Sequence, residues 1–218
     1  METKEIKSGR VARRQLGQRK RLLWAALGYF GEKGVEGGSL SEIAERADVA
    51  IGTLYSYFPS RDALIDALDA ELLNVFRQWM SDSTRSGLTP LERIGARVRL
   101  AIGFAVHAPA WNHFMIRNGF WLARRGLWPS PQVKTDIDDA LVWGKLQMSQ
   151  DFAVVTIVGL FHGYLLRLQC HAVEANYAEQ AATHLLTCLG AGPKEAAAAA
   201  SVPLAQAAYP DMLVPPAA

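Results

Sequence analysis

Thr53, Tyr55 and Tyr57 place three hydroxyls within five residues, with the Ser39 hydroxyl upstream and the Arg61 guanidinium downstream. Hydroxyls and a permanent cation hydrogen-bond phosphate oxygens, and none of them is a proton donor or base poised near neutral pH. Ala50, Ile51 and Gly52 just before them are small or apolar; against a DNA base edge, Ile51 can meet little except a thymine methyl. Reaction chemistry is poorly supplied elsewhere. His107 and His113 lack the spacing that sets two imidazoles on one helix face, and Pro109 falls between them. There is no H-E-x-x-H, no Gly-rich phosphate loop after a strand and no G-x-S-x-G. Asp136, Asp138 and Asp139 suit a cation less well than they suit a solvated acidic helix start. A Cys170 nucleophile needs a base, and the neighbouring His171 points to a different helix face. Neither an enzyme nor a cofactor or metal is expected.

The hydroxyl set must be held by something, and Ser39 to Asp62 provides it: a short helix, a tight turn, a second short helix, a Pro-Ser break and the start of a third. Ser39 and Glu42 have the S-x-x-E spacing of a capping box. Leu40, Ile43, Ala44 and Ala47 follow at the spacing of one apolar helical stripe. Asp48-Val49 is the turn, and Val49, Leu54 and Phe58 carry the buried face of the next helix. Helices this short do not persist alone in water. Their neighbours must hold them, as in a helix-turn-helix that presents a reading helix to a DNA groove.

The run Gly52-Thr53-Leu54-Tyr55-x-Tyr57-Phe58-Pro59-Ser60-Arg61-Asp62, preceded by Ile43-Ala44 and Val49-Ala50, resembles the DNA-binding domain of the TetR family of bacterial transcriptional regulators. Asp48 stands where a turn Gly is usual, and Asp tolerates the left-handed backbone such a turn needs. Arg61 replaces the usual Lys and keeps the cation. The resemblance implies that Thr53, Tyr55, Tyr57 and Arg61 grip the DNA backbone while Ala50, Ile51 and Gly52 face base edges. It also implies a homodimer on a palindromic operator and a C-terminal domain that encloses a small-molecule inducer.

The chain's 218 residues are half apolar, enough for a sizeable core, and carry a net charge of +2. The charge is uneven. Met1 to Arg21 holds eight Lys/Arg against two Asp/Glu, a local +6 that leaves −4 on the rest. A basic N-terminal segment on a mildly acidic body suits a polyanion partner. From Leu22 to Asp62, by contrast, three basic residues face six acidic ones, and Ala50 to Phe58 has no charge at all. Phosphate contacts there must come from hydroxyls and backbone N–H groups. Two separated cysteines, Cys170 and Cys188, and no signal-peptide pattern fit a cytoplasmic protein. The apolar run 152–166 is short for a bilayer span and reads as a buried helix, so no membrane partner is expected.

Periodicity predicts an all-α chain of about nine helices. Residues 1–12 read as a flexible basic arm, 13–60 as the helix-turn-helix domain, 61–190 as a ligand-binding and dimerisation domain, and 191–218 as an Ala/Pro-rich tail. A long helix begins after Ser60 and crosses from the first domain into the second, with a turn-rich linker at 81–88. Thr89-Pro90-Leu91-Glu92 is a strong helix start. Helices follow at 110–125, from Ser130-Pro131 through about Met148, at 150–172, and from Asn176 to Leu189.

Two features of the second domain bear on function. The apolar helix 150–172 and the stripe Ala178, Ala181, Ala182, Leu185, Leu186 and Leu189 read either as a two-fold interface or as the protomer's own core. Large aromatics crowd the middle of the chain, including Phe120 and Trp128. Phe104, His107, Trp111, Phe114, Trp121 and Trp143 are candidates to line a pocket for a small apolar or aromatic inducer; plain core packing is the other reading. The expectation is a homodimeric ligand-responsive regulator, a repressor released by its inducer. The alternative is a DNA-binding organiser with no ligand.

Overall fold

The computed structural model describes residues 2–83, 87–125 and 130–205, with the backbone alone for 2–14, 82 and 83. Trp128, the middle of the expected linker at 84–86, and 206–218 lie outside the described residues. Among the described residues there are ten helices and no strand: α1 (Glu2–Lys33), α2 (Leu40–Arg46), α3 (Ile51–Tyr57), α4 (Arg61–Ser83), α5 (Pro90–His107), α6 (Pro109–Arg124), α7 (Pro131–Val142), α8 (Gln150–Cys170), α9 (Tyr177–Cys188) and α10 (Pro193–Ala200).

Leu22, Leu23, Ala26, Leu27 and Phe30 of α1, Ile43 and Ala44 of α2, Leu54 of α3, and Leu64 and Leu68 of α4 are all buried. These residues form the core beneath the helix-turn-helix. The C-terminal half of α1 packs along α6, and α5 is surrounded by α7, α8, α9 and α10. An edge-on and stacked aromatic cluster of Phe76, Trp79, Phe104 and Trp111 joins α4, α5 and α6. Such offset and edge contacts are the favoured aromatic geometries.

Several helix ends obey the sequence and several do not. Thr89 and Glu92 close a complete capping box, Ser149 accepts the Phe152 N–H, and the Ala63 N–H donates to Ser60 Oγ. The Ser39–Glu42 box does not form. The Tyr29 hydroxyl accepts the Ser39 N–H at 2.9 Å, taking the donor that Glu42 would have bound, and Ser39 Oγ pairs with Ser41 Oγ. The helix starting after Ser130 stops at Val142, well short of Met148. Gly144 adopts a left-handed φ of 65°, and the Lys145 N–H reaches back to Ala140 O, the hydrogen bond of a Schellman cap.

Two expectations need correction, those for residues 2–12 and for α8. Residues 2–12 are not an arm but the first turns of α1, a stretch rich in Glu, Lys and Arg with no proline to break it. The Ala-rich tail contributes a tenth helix, α10, whose Ala196, Ala199 and Ala200 are buried against α5 and α9. Small side chains permit this closeness: a Cβ added at Gly95 would stand 2.9 Å from Ala199 O. The apolar α8 is not a buried helix. Ala153, Ile157, Phe161 and Leu165 face inward, but Phe152, Val155 and Leu166 are 69%, 66% and 47% exposed. By length and composition alone α8 could cross a membrane.

Candidate nucleic-acid interface and effector cavity

The turn between α2 and α3 forms as its sequence requires. Asp48 has φ 53°, and the Val49 N–H closes on Ala44 O at 3.0 Å. Ala47, Leu54 and Phe58 turn inward, which leaves Ala50, Ile51, Gly52, Tyr55 and Ser56 exposed. Ile51 (40% exposed) and Tyr55 (50%) lie four residues apart, so they share one outward face of α3. Thr53 is half-buried. Tyr57 packs against the core, and its hydroxyl donates to Gln18 Oε1 at 3.4 Å. Arg61 donates to Glu36 O at 3.0 Å, tying the first turn of α4 to the loop before α2. Tyr55 is thus the hydroxyl best placed for an outside acceptor, whereas Tyr57 and Arg61 are also engaged within the domain.

Tyr29 is the organiser that sequence reading missed. Its ring is buried under Gly38, where an added Cβ would come within 2.4 Å of Cε1. Its hydroxyl holds the start of α2, and the Arg46 guanidinium lies over its ring at 5.0 Å. Arg46 also makes a two-pronged bond to Glu32, at 2.9 and 2.6 Å, which holds the Glu32 carboxyl below its usual range. The clue in the sequence was Gly37-Gly38, a pair that permits an aromatic ring to approach the backbone.

The helix-turn-helix is coupled to the rest of the protein through α1, α4 and α6. Asn118, at 1% exposure, accepts the Val35 N–H and donates to Phe30 O and Phe114 O. Arg19 of α1 pairs with Glu71 of α4, and Arg125 after α6 pairs with Asp66 of α4.

A cavity of about 310 Å³ opens between α4, α5, α8 and the first turn of α7. Its walls are mainly apolar, with Phe76, Val98, Ala101, Ile157 and Phe161 prominent, and the polar lining includes Asn74, Arg77, Arg97 and Gln132. This size is at the lower end of the range for small-molecule sites. None of the six aromatic and histidine candidates lines it. Phe104, Trp111 and Phe114 are buried core, and the first two contact the ring of Phe76, which does line the hollow. His107 is exposed at the end of α5, Trp121 is half-buried beneath Arg125, and Trp143 projects outward from the end of α7. Phe120, also exposed, lies 4.5 Å from the His162 ring of α8, where burial holds the imidazole pKa below its ordinary value.

Of the acidic cluster, Asp138 is exposed, but Asp136 is not a solvated residue of a helix start. Asp136 is 3% exposed and accepts from both Arg93 Nε, at 2.6 Å, and Arg97 Nε, at 2.5 Å. Asp139 accepts from Arg93, and Asp138 from Gln150. Asp136 and Asp139 pair with half-buried arginines. Among the described residues, no group of three or more His, Cys, Asp or Glu could hold a metal.

The family model described as "Bacterial regulatory proteins, tetR family" matches residues 22–68, the stretch from mid-α1 to mid-α4 that builds this interface. Over this stretch the chain is similar to the tetR family. The HTH-type transcriptional repressor KstR of Mycobacterium tuberculosis is 37% identical over 95 residues, which is 43% of this chain and 42% of that protein. KstR of Rhodococcus jostii is 41% identical over 81 residues, 37% of each. The chain therefore spans under half the length of these curated relatives. These tetR relatives are named as transcriptional repressors, not as enzymes. The likeness to solved structures runs further. RolR without ligand superposes with a TM-score of 0.60 at 24% identity, covering 85% of this chain and 98% of that one. RolR in complex with resorcinol gives the same score and identity over 89% of this chain. At that identity the likeness establishes the tetR fold alone.

Proposed function

We propose that this protein is a ligand-responsive transcriptional regulator, acting as a repressor in the cytoplasm and binding a palindromic operator as a homodimer. One observation carries the reading: α3 is an uncharged, outward-facing helix, and Ala50, Ile51, Gly52 and Tyr55, four of the positions that the resemblance implies for DNA contact, are exposed at its start and on its outer face. Residues up to about 60 then form the DNA-binding domain, and 61–190 with α10 form the effector and dimerisation domain. Base edges meet Ala50, Ile51 and Gly52. Phosphates meet Ser39, Thr53, Tyr55, Tyr57 and Arg61, with further attraction from the basic residues of α1.

The dimer rests on α8. Phe152, Val155, Gly159, Gly163 and Leu166 recur at helical spacing on its outer face, and Phe120 adjoins it beside His162. A contiguous apolar face of this kind marks an association surface. The stripe singled out in α9 packs instead into its own protomer against α5 and α10. What α9 offers a partner is its polar face of Glu179, Gln180, Thr183 and Thr187.

Ligand in the cavity presses on Phe76 and Met80 of α4, the helix whose other end carries Arg61. A tilt of α4 moves the two α3 helices out of register with successive major grooves. Effector and operator then oppose each other reciprocally. The test is a gel shift of the protein's own promoter region against a scrambled duplex with competitor DNA. Preference for the promoter supports the reading, and equal weak binding to both rejects it.

A further inference from the structure

Arg93 and Arg97 stand one turn apart on α5 and share Asp136, but their remaining donors differ. Arg93 is fully engaged: Nε to Asp136, Nη2 to Asp139, and Nη1 to Leu88 O at 3.1 Å. Arg97 binds Asp136 only through Nε, and among the described residues its Nη side meets nothing stronger than the Met80 sulfur, at 3.7 Å. A thioether is a weak acceptor. Arg97 lines the cavity and its side chain is 20% exposed, so that guanidinium edge is left in largely apolar surroundings without an oxygen. Arg77, one turn before Met80 along α4, brings a second guanidinium to the same cavity. Among the described residues lining the cavity, none is acidic.

We infer that the effector is an apolar molecule with a single anionic oxygen head, a carboxylate or its chemical equivalent. The head sits against Arg97 and Arg77, and the body lies along Phe76, Val98, Ala101, Ile157 and Phe161. The inference rests on the cavity being the effector site proposed above. Asp136 has a positioning role. By anchoring Nε it fixes the plane of the Arg97 guanidinium and turns the Nη donors toward the hollow, as bidentate carboxylate recognition requires. A neutral apolar ligand would leave those donors as they are. A cationic ligand would meet two like charges.

The experiment is calorimetric titration of the full chain with decanoate and 2-naphthylacetate, their methyl esters, and decyltrimethylammonium. At least one acid is expected to bind about tenfold or more tighter than its ester, with the cation not binding. Arg77→Gln is expected to narrow the acid–ester gap without weakening the ester. Arg77 is the variant of choice because Arg97 also partners the buried Asp136. Ala101→Trp, which fills the cavity, is expected to remove acid and ester binding alike. If esters bind as tightly as acids and Ala101→Trp abolishes both, the cavity is an effector site but the anionic head is wrong. If no probe binds, or binding survives Ala101→Trp, the inference falls together with the cavity's assigned role.

Discussion

Asn118 on α6 accepts the Val35 backbone N–H at 2.9 Å, fastening the loop after α1 to α6 across 83 residues of chain. The same amide donates to Phe30 O at 3.0 Å. One buried side chain therefore holds both the last turns of α1 and the loop that leads to α2. A movement of α6 reaches the helix-turn-helix through this clip as well as through α4.

Asn118→Ala leaves the Val35 N–H and a share of Phe30 O unpaired in a buried place. Each such group costs about 1–3 kcal/mol. Urea unfolding is expected to show a loss of about 2–4 kcal/mol in total. Operator affinity is expected to become less responsive to effector. Full stability with unchanged effector response would remove the coupling role.

Gly38→Ala tests the seat of Tyr29. The added Cβ meets the ring at 2.4 Å, and both neighbours are held, the ring by the core and the backbone by the Ser39–Tyr29 bond. Overpacking of this sort costs about 1–3 kcal/mol. The damage is expected to centre on α1–α2, so amide exchange in 40–58 should accelerate while α5 and α9 stay protected. Uniform acceleration, or none, would contradict this.

Asp69 on α4 supplies a pH dependence. It is 7% exposed, and burial first, then repulsion from Asp66, push its carboxyl up to about 6, against the pull of Arg125. The unfolded group titrates near its ordinary value of about 3.9. Between these values the folded state holds the proton more tightly, so this residue lowers stability as pH rises from about 4 to 6 and keeps it lowered above. Asp69→Asn is expected to raise stability at pH 7.5 by about 1–2 kcal/mol and flatten that slope. Denaturation midpoints at pH 4.5 and 7.5 measure it; an unchanged slope would contradict the assignment.

Phe152→Glu with Val155→Glu charges the outer face of α8 without touching a buried side chain. Sedimentation is expected to show a monomer with intact helicity, and operator affinity is expected to fall by at least about tenfold because two linked half-sites become separate ones. A dimer that survives both charges places the interface elsewhere.

How much of this was legible follows from the range of each interaction. The helix-turn-helix was readable because Leu54, Phe58, Asp48 and the Ser-Arg start of α4 act within a few residues of one another. The outward set on α3 followed once its buried face was known. Tyr29 escaped because its partners, Gly38 and Ser39, matter through contact rather than periodicity. The cavity escaped for a related reason. Phe104 and Trp111 announce buried aromatic area, but the hollow lies between α4, α5, α7 and α8, and only the tertiary fold sets that gap. Asp136 looked like a solvent-facing charge because its two arginines are some forty residues away in sequence. The alanines of α10 carried no amphipathic signature strong enough to separate a packed helix from a tail.

The account stands or falls on α3 as the DNA-reading element, and Tyr55 isolates that claim because it is exposed and its loss leaves the core intact. The most direct measurement is the dissociation constant for the promoter operator, at fixed salt, of the wild-type protein and Tyr55→Phe. Loss of one phosphate hydrogen bond per protomer is expected to weaken binding by about tenfold or more, with helicity and thermal midpoint unchanged. Equal affinity of the two proteins for the operator, at equal fold stability, would contradict it.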